Sequence, residues 1–467
     1  MKEQKKSNNG MITSLNHAIC QRTGLKSGNS LIGVLLMLVL LPVFLSCGCT
    51  DNSISGGVYG SDALTILVDD QNQIGTVREL ATQYQNETGI PISVESVPAG
   101  WSPNSSMPLR GDLLVADMGR VPVFAADGQI SRLNPLLNTS NAVNWTLFER
   151  PTLVLAGEYP DRSGEIYALP FSQDALGILY RTDLFDDPAE SAAFCLSYGY
   201  PIGIPGSYDE LSDIATFFSR NGTTLSGIGF AGLSGPNPES SPWLSILSSY
   251  GSGVVDRSSG EVSGRWNSTR TLSALEMFKN LSDRSPEGAG DWGDKEVREA
   301  FRSGRIAMAV TWFSKFPDIL NESAKNNLSV GAIALPGQMI QDESHRGITV
   351  SMDGVGLVQG GSNDKALKFL TWLYSPEEQL AFASSGNQPA LVPVLDSFQY
   401  MSLNPYNRAF PESIRMGVTT GKGKNSEAVR VICEETIREI LSSGSTPGAA
   451  RNILDASSER IDSLITR

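Results

Sequence analysis

Short apolar runs alternate with stretches of helical period from residue 63 onward. Three runs have the length and β-branched content of strands: ALTILVDD at 63–70, IPISVESV at 90–97 and DLLVADMG at 112–119. Between the first two, apolar residues recur at the spacing of one helix face, at Val77, Leu80, Ala81 and Tyr84. Strands that alternate with amphipathic helices predict an α/β domain.

Capping motifs mark where helices are expected to begin. A Ser or Thr followed three residues later by Glu satisfies free N–H groups of the first helical turn. This spacing occurs at Thr76 with Glu79, Ser207 with Glu210 and Ser375 with Glu378. Pro376 stands at a first helical position, and Pro447 after Thr446 opens the final helix in the same way.

An uncharged apolar run precedes this body. Its core, Leu31 to Leu45, has 15 residues, short of the roughly 20 that a spanning helix needs. Basic residues lie before it, and Cys47 and Cys49 follow it, each after a small residue, as in an exported lipoprotein. The pattern predicts a leader over 1–48, lipidation at Cys47 or Cys49 and a flexible tether over 49–62. An uncleaved helical anchor and plain secretion are the alternatives.

Length and charge limit the classes of protein. The first 48 residues hold five basic residues and one acid, so residues 49–467 carry 31 Lys and Arg against 49 Asp and Glu. A chain of this length can build two sizeable domains. Its negative charge makes nucleic acid and anionic membrane surfaces poor partners, so we expect no nucleic-acid partner.

Catalytic machinery is sparse. His345, in QDESHRG, is the one histidine after the leader, which leaves no second histidine for a multi-histidine metal site. The run GVGLVQGG at 354–361 lacks the Lys and Ser/Thr of a phosphate-binding loop and predicts a strand leading into a Gly turn. Catalysis by a pair of carboxylates stays an open alternative, because Asp and Glu are abundant but no spacing singles out a pair. We predict binding rather than turnover, with no metal and no cofactor.

Polar residues follow the first and third predicted strands. Asp69, Asp70, Gln71 and Gln73 follow one, and Asp117, Met118 and Arg120 follow the other. In open parallel sheets, ligands bind outside the carboxyl ends of strands, so these are candidate ligand residues. The alternative is that Asp69 and Asp70 only cap a turn. The acid- and amide-rich loop DDQNQIG would also suit a cation, a polyamine or a peptide.

Six segments occur in the order known from one family. They are DLLVADMGRVPVFAADGQISRLNPLL at 112–137, EIYALPFSQDALGILYRTDLF at 165–185, SYDELSDIA at 207–215, AFRSGRIAMAVTWF at 300–313, GVGLVQGGSNDKALKFLTWLYSPEEQLAFA at 354–383 and GNQPALVPV at 386–394. In this order the chain resembles the extracellular solute-binding proteins of ABC importers, family 1, the maltose-binding-like group. The resemblance spans about 350 residues.

The resemblance implies a two-lobed α/β fold of the type II periplasmic-binding-protein kind, with a hinge and a ligand cleft between the lobes. Lobe one would comprise 61–168 and 352–394, and lobe two 172–349 and 395–467. Hinge segments near 169–172 and 350–354 would absorb the closure of the lobes on a ligand.

The resemblance also implies further ligand-lining positions. These are Ser172, Asp174, Trp243, Trp312 and Phe313, beside Asp69, Asp70, Gln71, Gln73, Asp117 and Arg120. Aromatic faces suit the apolar faces of sugars, and Trp312 is the leading candidate. The alternative for Trp312 and Trp243 is a place in the core. Trp101 is a weaker candidate, and Trp372 is expected in the core.

Function and partners follow from the same resemblance. It implies a monomeric, lipid-anchored receptor on the extracellular face of the membrane that delivers a small solute, a sugar or oligosaccharide, to ABC permease subunits. A secreted carbohydrate-active hydrolase and a sensing or adhesion protein are the alternatives. Cys195 and Cys433 would both lie in lobe two, which allows a disulfide between them; two separate buried thiols are the alternative.

Overall fold

The computed structural model describes residues 63–103, 107–139, 143–220, 224–255, 262–326, 328–444 and 446–465. The predicted leader, the cysteines Cys47 and Cys49 and the whole predicted tether lie outside these residues. Within them, none of the helices combines the length and the apolar character needed to cross a bilayer.

Strands and helices alternate along the described chain, as the sequence predicted. The strands are β1 Leu64–Val68, β2 Ile92–Ser96, β3 Leu113–Asp117, β4 Leu169–Arg181, β5 Ser226–Phe230, β6 Ile306–Trp312, β7 Val330–Ala334, β8 Gln338–Ile340, β9 Glu343–His345, β10 Ile348–Leu357 and β11 Gly417–Val418. The helices are α1 Ile74–Thr88, α2 Val121–Ala126, α3 Asn134–Thr139, α4 Arg150–Gly157, α5 Thr182–Phe185, α6 Pro188–Tyr198, α7 Tyr208–Phe218, α8 Trp243–Ser249, α9 Thr269–Ser282, α10 Asp294–Arg302, α11 Phe316–Lys325, α12 Asn363–Leu373, α13 Pro376–Ser384, α14 Val392–Leu395, α15 Phe398–Leu403, α16 Phe410–Arg415, α17 Ser426–Ser442 and α18 Pro447–Ile465.

One curled sheet organises the fold. Its strands run in the order β2-β1-β3-β10-β4-β6-β5, with β11 beside β10 and β7 beside β4. The pairs β1 with β2, β1 with β3 and β5 with β6 are parallel, whereas β10 is antiparallel to both β3 and β4. β8 and β9 form a separate antiparallel hairpin.

Both faces of the first strands are buried. On β1, Ile66 and Val68 join the large hydrophobic core, while Leu67 points to a second, smaller cluster. On β3, Val115 joins the large core and Leu114 joins the smaller cluster. Parallel strands covered on both faces read as continuous apolar runs, which is why LTILV and LLVAD stood out in the sequence.

Two long strands join the two ends of the sheet. β4 pairs with β10 through Leu169–Ala175 and with β6 and β7 through Leu176–Arg181. β10 in turn pairs with β4 and then with β3, with a break in its register against β4 between Asp353 and Gly354. A hinge between two lobes would cross these strands, and the lobe boundaries stay a prediction.

Most predicted helix starts are confirmed. Ser207 accepts the Glu210 N–H at 3.1 Å, and Ser375 accepts the Glu378 N–H at 3.2 Å. The capping box at Thr76 is wrong, because α1 already begins at Ile74. Asp70 starts the chain turning earlier: its carboxylate accepts the Asn72 N–H at 2.9 Å, and a 3₁₀ turn leads directly into α1.

Candidate functional site

A cavity of ≈ 260 Å³ lies where the carboxyl end of β3 meets the beginning of β10. The start of α8, the end of β6 and the face of α17 complete its walls. The apolar residues that line it include Met118, Leu233, Pro238, Trp243, Leu244, Val254, Trp312 and Val350. Hydroxyl groups come from Ser241, Thr349, Ser351, Thr419, Thr420 and Ser426, and charged groups from Asp117, Glu239, Glu427, Arg430 and Glu434.

A backbone contact closes one rim of the cavity. The Gly423 N–H, in the segment before α17, donates to the Gly119 carbonyl at 3.2 Å, just beyond β3. Lys422 beside it donates to the carbonyls of Val154 and Glu158, at 2.6 and 2.9 Å, in and after α4. The end of the chain therefore reaches across to the elements around β3. The cavity lies between residues that the sequence assigned to different lobes.

Trp312 and Trp243 form the aromatic part of the wall. Trp312 ends β6 and is 8% exposed, and its Nε1–H donates to Ser240 Oγ at 2.8 Å. Trp243 starts α8 and packs edge-on against Trp266 and Phe278, at centroid distances of 6.4 and 5.7 Å. Each indole is thus held in the core and still faces the cavity. Of the three aromatic residues that the resemblance placed in the cleft, Trp243 and Trp312 line this cavity.

Phe313 does not line the cavity. It is completely buried and packs against Phe316 at 4.6 Å and Phe410 at 5.4 Å, with Gly177 beneath it. A 3₁₀ turn starts at Phe313, directly after Trp312, so the two neighbouring side chains point to different surroundings. Phe313 is therefore a core residue beneath the aromatic wall, and this cavity gives no support to the prediction that it contacts the ligand.

Of the polar cluster after β3, Asp117 and its neighbour Met118 line the cavity. Asp117 Oδ1 accepts the Gly119 N–H at 2.7 Å. Burial raises the pKa of Asp117, and the nearby charges of Asp70 and Asp69 raise it further. The carboxylate therefore sits in a negative field at the carboxyl end of β3.

Arg120 and Asp69 are engaged with each other outside the cavity. The guanidinium donates to both carboxylate oxygens of Asp69, at 2.9 and 3.2 Å. It also lies over the rings of Trp101 and Phe124, 5.5 and 5.1 Å from their centroids. Trp101 itself is buried and stacks on Phe124. The pair fastens the end of β1 to the start of α2, and none of these four residues lines the cavity.

Asp70 and Gln71 shape the turn after β1. Asp70 caps that turn, and the exposed Gln71 accepts a hydrogen bond from Ser96 Oγ at 3.1 Å. Neither residue lines the cavity. In this structure Asp70 and Gln71 stabilise the turn after β1, as in the alternative that Asp70 only caps a turn.

Gln73 and Ser172 belong to a partly buried chain of hydrogen bonds that ends at Asp353. Gln73 Nε2 donates to Ser172 Oγ at 3.1 Å, and Ser172 Oγ donates to Asp353 Oδ2 at 2.8 Å. Asp353 is 5% exposed, and its other oxygen has no partner among the described residues. Burial raises the pKa of Asp353 to about 7, although the hydrogen bond from Ser172 acts the other way. Sequence reasoning passed over Asp353, although an acid between apolar residues in VSMDGVG was a visible signal.

Asp174 supports the turn that carries Trp312. Its Oδ1 accepts the N–H groups of Ala175 and Ser314, at 2.8 and 3.2 Å. Burial raises the pKa of Asp174 to about 6, against the lowering effect of its hydrogen bonds with Ser314. It does not line the cavity, so its part is to fix the chain after β6.

Four charged residues of the wall were not singled out from the sequence. Arg430 on α17 donates to Glu427 at 2.6 and 3.0 Å and to Glu434. Glu239 comes from the 3₁₀ turn Pro238–Ser240. The spacing of Glu427, Arg430 and Glu434 by three and four residues was the available signal, but it equally marks an ordinary helix surface.

Cys433 also lines the cavity and is a free, buried cysteine. The Cys195–Cys433 disulfide considered from the sequence is therefore absent in this structure. The two residues lie in helices with different neighbours: α6 packs against α5 and α7, and α17 against α18. Burial raises the pKa of the Cys433 thiol.

Among the described residues, no three His, Cys, Asp or Glu side chains are grouped closely enough to hold a metal ion. His345 is in β9 and does not line the cavity. Its Nε2 lies 3.4 Å from Glu343 Oε2. The cavity is lined by two indole side chains, several hydroxyls and several carboxylates. Such a lining can bind a polar organic molecule.

The chain is similar to known proteins in both sequence and structure. Residues 70–380 match the family model described as bacterial extracellular solute-binding protein. The sugar-binding protein MalE of Xanthomonas citri is similar in structure, with a TM-score of 0.67 at 14% identity over 86% of this chain and 97% of that one. Maltose-bound MalE3 of T. maritima gives 0.62 at 19% identity over 86% and 99%.

A third similar structure is a solute-binding protein of an ABC transporter from Agrobacterium radiobacter K84, in complex with ribitol. Its TM-score is 0.63 at 18% identity, over 86% of this chain and 99% of that one. At such identities the likeness shows the fold. The predicted two-lobed α/β architecture is therefore confirmed.

Proposed function

Because the chain belongs to the bacterial extracellular solute-binding protein family, we propose that it is the receptor of an ABC importer and that it binds a sugar or polyol in the cavity described above. The observation that carries the proposal is that Trp312 and Trp243 line one cavity. Asp117, at the end of β3, and Thr349, on β10, line the same cavity. Indole faces stack on the apolar faces of sugar rings, and hydroxyls and carboxylates bind their hydroxyl groups.

Named ligands of similar structures support the ligand class. One is bound to maltose and one to ribitol. The hydroxyls of Thr349 and Ser351, on β10, and of Thr419 and Thr420, after β11, face the same cavity. A neutral polyhydroxylated solute would find both hydrogen-bond donors and acceptors there.

The two lobes, with the boundaries 61–168 plus 352–394 and 172–349 plus 395–467, are part of the proposal. Their division runs through β4 and β10, and the cavity takes residues from each side, such as Asp117 and Trp312. A ligand that touches both sides binds a closed arrangement more tightly than an open one, so it shifts the population toward closure. Closure is the signal that a permease would recognise.

Export and anchoring rest on the N-terminal sequence. The apolar run that ends at Cys47 and Cys49 supports a lipid anchor on the extracellular face, with 49–62 as the tether. Delivery of the solute to permease subunits, by a monomeric receptor held at the membrane, completes the proposal. Binding without turnover is expected of it, in contrast to the hydrolase alternative.

A screen of the purified protein by thermal shift tests this proposal. Sugars, polyols, amino acids, polyamines and oxyanions are added singly, since a ligand at 100 times its Kd adds about 2.7 kcal/mol of stability. A shift with a sugar or polyol that is recovered unchanged supports a sugar receptor. Conversion of that ligand to products would favour the hydrolase, and a shift confined to another class would overturn the sugar assignment.

A further inference from the structure

The charges on the cavity wall are unbalanced. Four acidic residues line it, Asp117, Glu239, Glu427 and Glu434, whereas Arg430 is the one cation that the described residues contribute. The difference corresponds to three formal negative charges if every group is ionised. Such an imbalance matters for a site that must lose water when it closes on a ligand.

Arg430 is already neutralised within its own helix. It donates to Glu427 through two nitrogens, at 2.6 and 3.0 Å, and to Glu434 through a third. The Glu434 side chain is 10% exposed, so this pair is shielded from water and is not readily given up. The guanidinium therefore has little capacity left for an anionic ligand.

Glu239 faces the cavity without a partner. Its carboxylate has neither a hydrogen bond nor an ion pair with any residue in the described ranges. Glu239 lies near enough to Glu434 to affect its pKa. Burial is the main cause that raises the pKa of Glu434, Arg430 lowers it, and the negative charge of Glu239 raises it further. The 3₁₀ turn Pro238–Ser240 and α17 thus present two mutually repelling carboxylates to one space.

Asp117 adds to this field from the other side of the cavity. The hydrogen bonds to its carboxylate come from backbone N–H groups, of which that of Gly119 lies at 2.7 Å. Such groups stabilise the carboxylate but bring no positive charge. A neutral ligand would leave this repulsion in place, whereas a cationic ligand would relieve it.

We infer that the solute is a carbohydrate carrying a protonated amine, with its ammonium between Glu239 and Glu434 and a ring face against Trp312. This rests on the proposed function and narrows its ligand class. The indoles of Trp312 and Trp243 suit it doubly, because an aromatic face attracts both a sugar ring and a cation. A cavity of ≈ 260 Å³ is close to the lower end of small-molecule pockets, roughly 300 Å³, which fits one or two rings.

Matched pairs of sugars test the inference by isothermal titration of the purified protein. The probes are glucosamine against glucose, galactosamine against galactose, and the glucosamine disaccharide against cellobiose. In the pair that binds, the amino sugar is expected to have a Kd at least tenfold lower than that of its neutral counterpart. A neutral sugar that binds as tightly as its amine overturns the inference and leaves the sugar receptor intact. No binding of any probe would count against both the inference and the sugar receptor.

Glu239→Gln supplies the second readout, and because Glu239 is exposed and unpaired the change is not expected to affect folding. The variant is expected to lose at least tenfold in affinity for the amine and to keep its affinity for the neutral partner. Glu287→Gln, which removes an exposed carboxylate outside the cavity wall, serves as the control and should change neither. Equal losses for amine and neutral sugar in Glu239→Gln would contradict an ammonium contact.

Discussion

Ser172 on β4 donates a 2.8 Å hydrogen bond to the buried carboxylate of Asp353 on β10. The two residues are also direct partners in the register of these strands, next to the break between Asp353 and Gly354. Gln73 extends the chain by donating to Ser172 at 3.1 Å. The two strands that the proposed lobes share are therefore linked by a polar contact between their side chains.

The stability of the protein is expected to depend on the protonation of Asp353. Its pKa is raised to about 7 in the fold, chiefly by burial, whereas in the unfolded chain it has its ordinary value near 3.8. Between these values the folded state binds the extra proton, so the free energy of unfolding falls as the pH rises from about 4 to 7. Asp353→Asn keeps an acceptor for Ser172 and removes the titration.

Denaturant unfolding of the parent and Asp353→Asn at pH 5 and pH 8 measures this effect. The variant should gain stability relative to the parent on going to pH 8, by an amount on the order of a few kcal/mol. Asp174 titrates in both proteins, so its contribution cancels in the difference. A difference that stays the same at both pH values would show that Asp353 is not held protonated by burial.

Trp312→Ala should weaken ligand binding. A buried aromatic that contacts the ligand contributes on the order of 2 kcal/mol, or about 30-fold in Kd. Isothermal titration with the solute identified by screening gives the value. Trp372→Ala is the matched control, since Trp372 lies on α12, away from the cavity, and bonds to Glu87. Equal affinities of Trp312→Ala and the parent would remove Trp312 from the site.

Gly177→Ala should destabilise the fold beneath the aromatic wall. A Cβ at this position would lie 2.5 Å from Phe313 Cε2 and 3.1 Å from Phe316 Cζ. Forcing a methyl group into such packing costs typically about 1–3 kcal/mol. Gly75→Ala is the contrasting case, because its Cβ meets nothing within 4 Å inside helix α1, and it should stabilise by about 0.5–1 kcal/mol. Thermal or denaturant unfolding compares the two, and a stabilising Gly177→Ala would contradict the packing described here.

Arg120→Ala should lower stability and leave ligand affinity within about twofold of the parent. The substitution removes a partly exposed ion pair with Asp69 and the cover over Trp101, together on the order of 1–2 kcal/mol. Unfolding and titration on the same preparation separate the two effects. Arg78→Ala, on the exposed side of α1, is the control. A large loss of affinity in Arg120→Ala would restore Arg120 to the list of ligand residues.

The fold was predictable because its periodic signals are strong. LTILV and LLVAD are buried on both faces of the sheet, and Ser207 and Ser375 cap their helices as their spacing indicated. Thr76 misled because the deciding interaction, the cap formed by Asp70, is local and lies four residues before the helix begins. Two capping signals close together cannot be ranked from the sequence alone.

The site was only partly predictable for a different reason. Trp312 and Asp117, which line the cavity, could be selected from the sequence because both stand at strand ends, where ligands bind in open parallel sheets. Glu239 and Glu434 were missed, because their approach depends on how a turn and a distant helix pack, and no period in the sequence encodes that. The ion pair of Arg120 with Asp69, about 50 residues away, could be identified only in the folded chain.

The central claim, that the cavity bounded by Trp312, Asp117 and Glu434 holds the solute, is tested most directly by a crystal structure of the protein with the screened ligand. The account predicts ligand density against Trp312 and within hydrogen-bonding distance of Asp117 or Glu434. Density at the turn formed by Asp70 and Gln71, with the cavity empty, would contradict it.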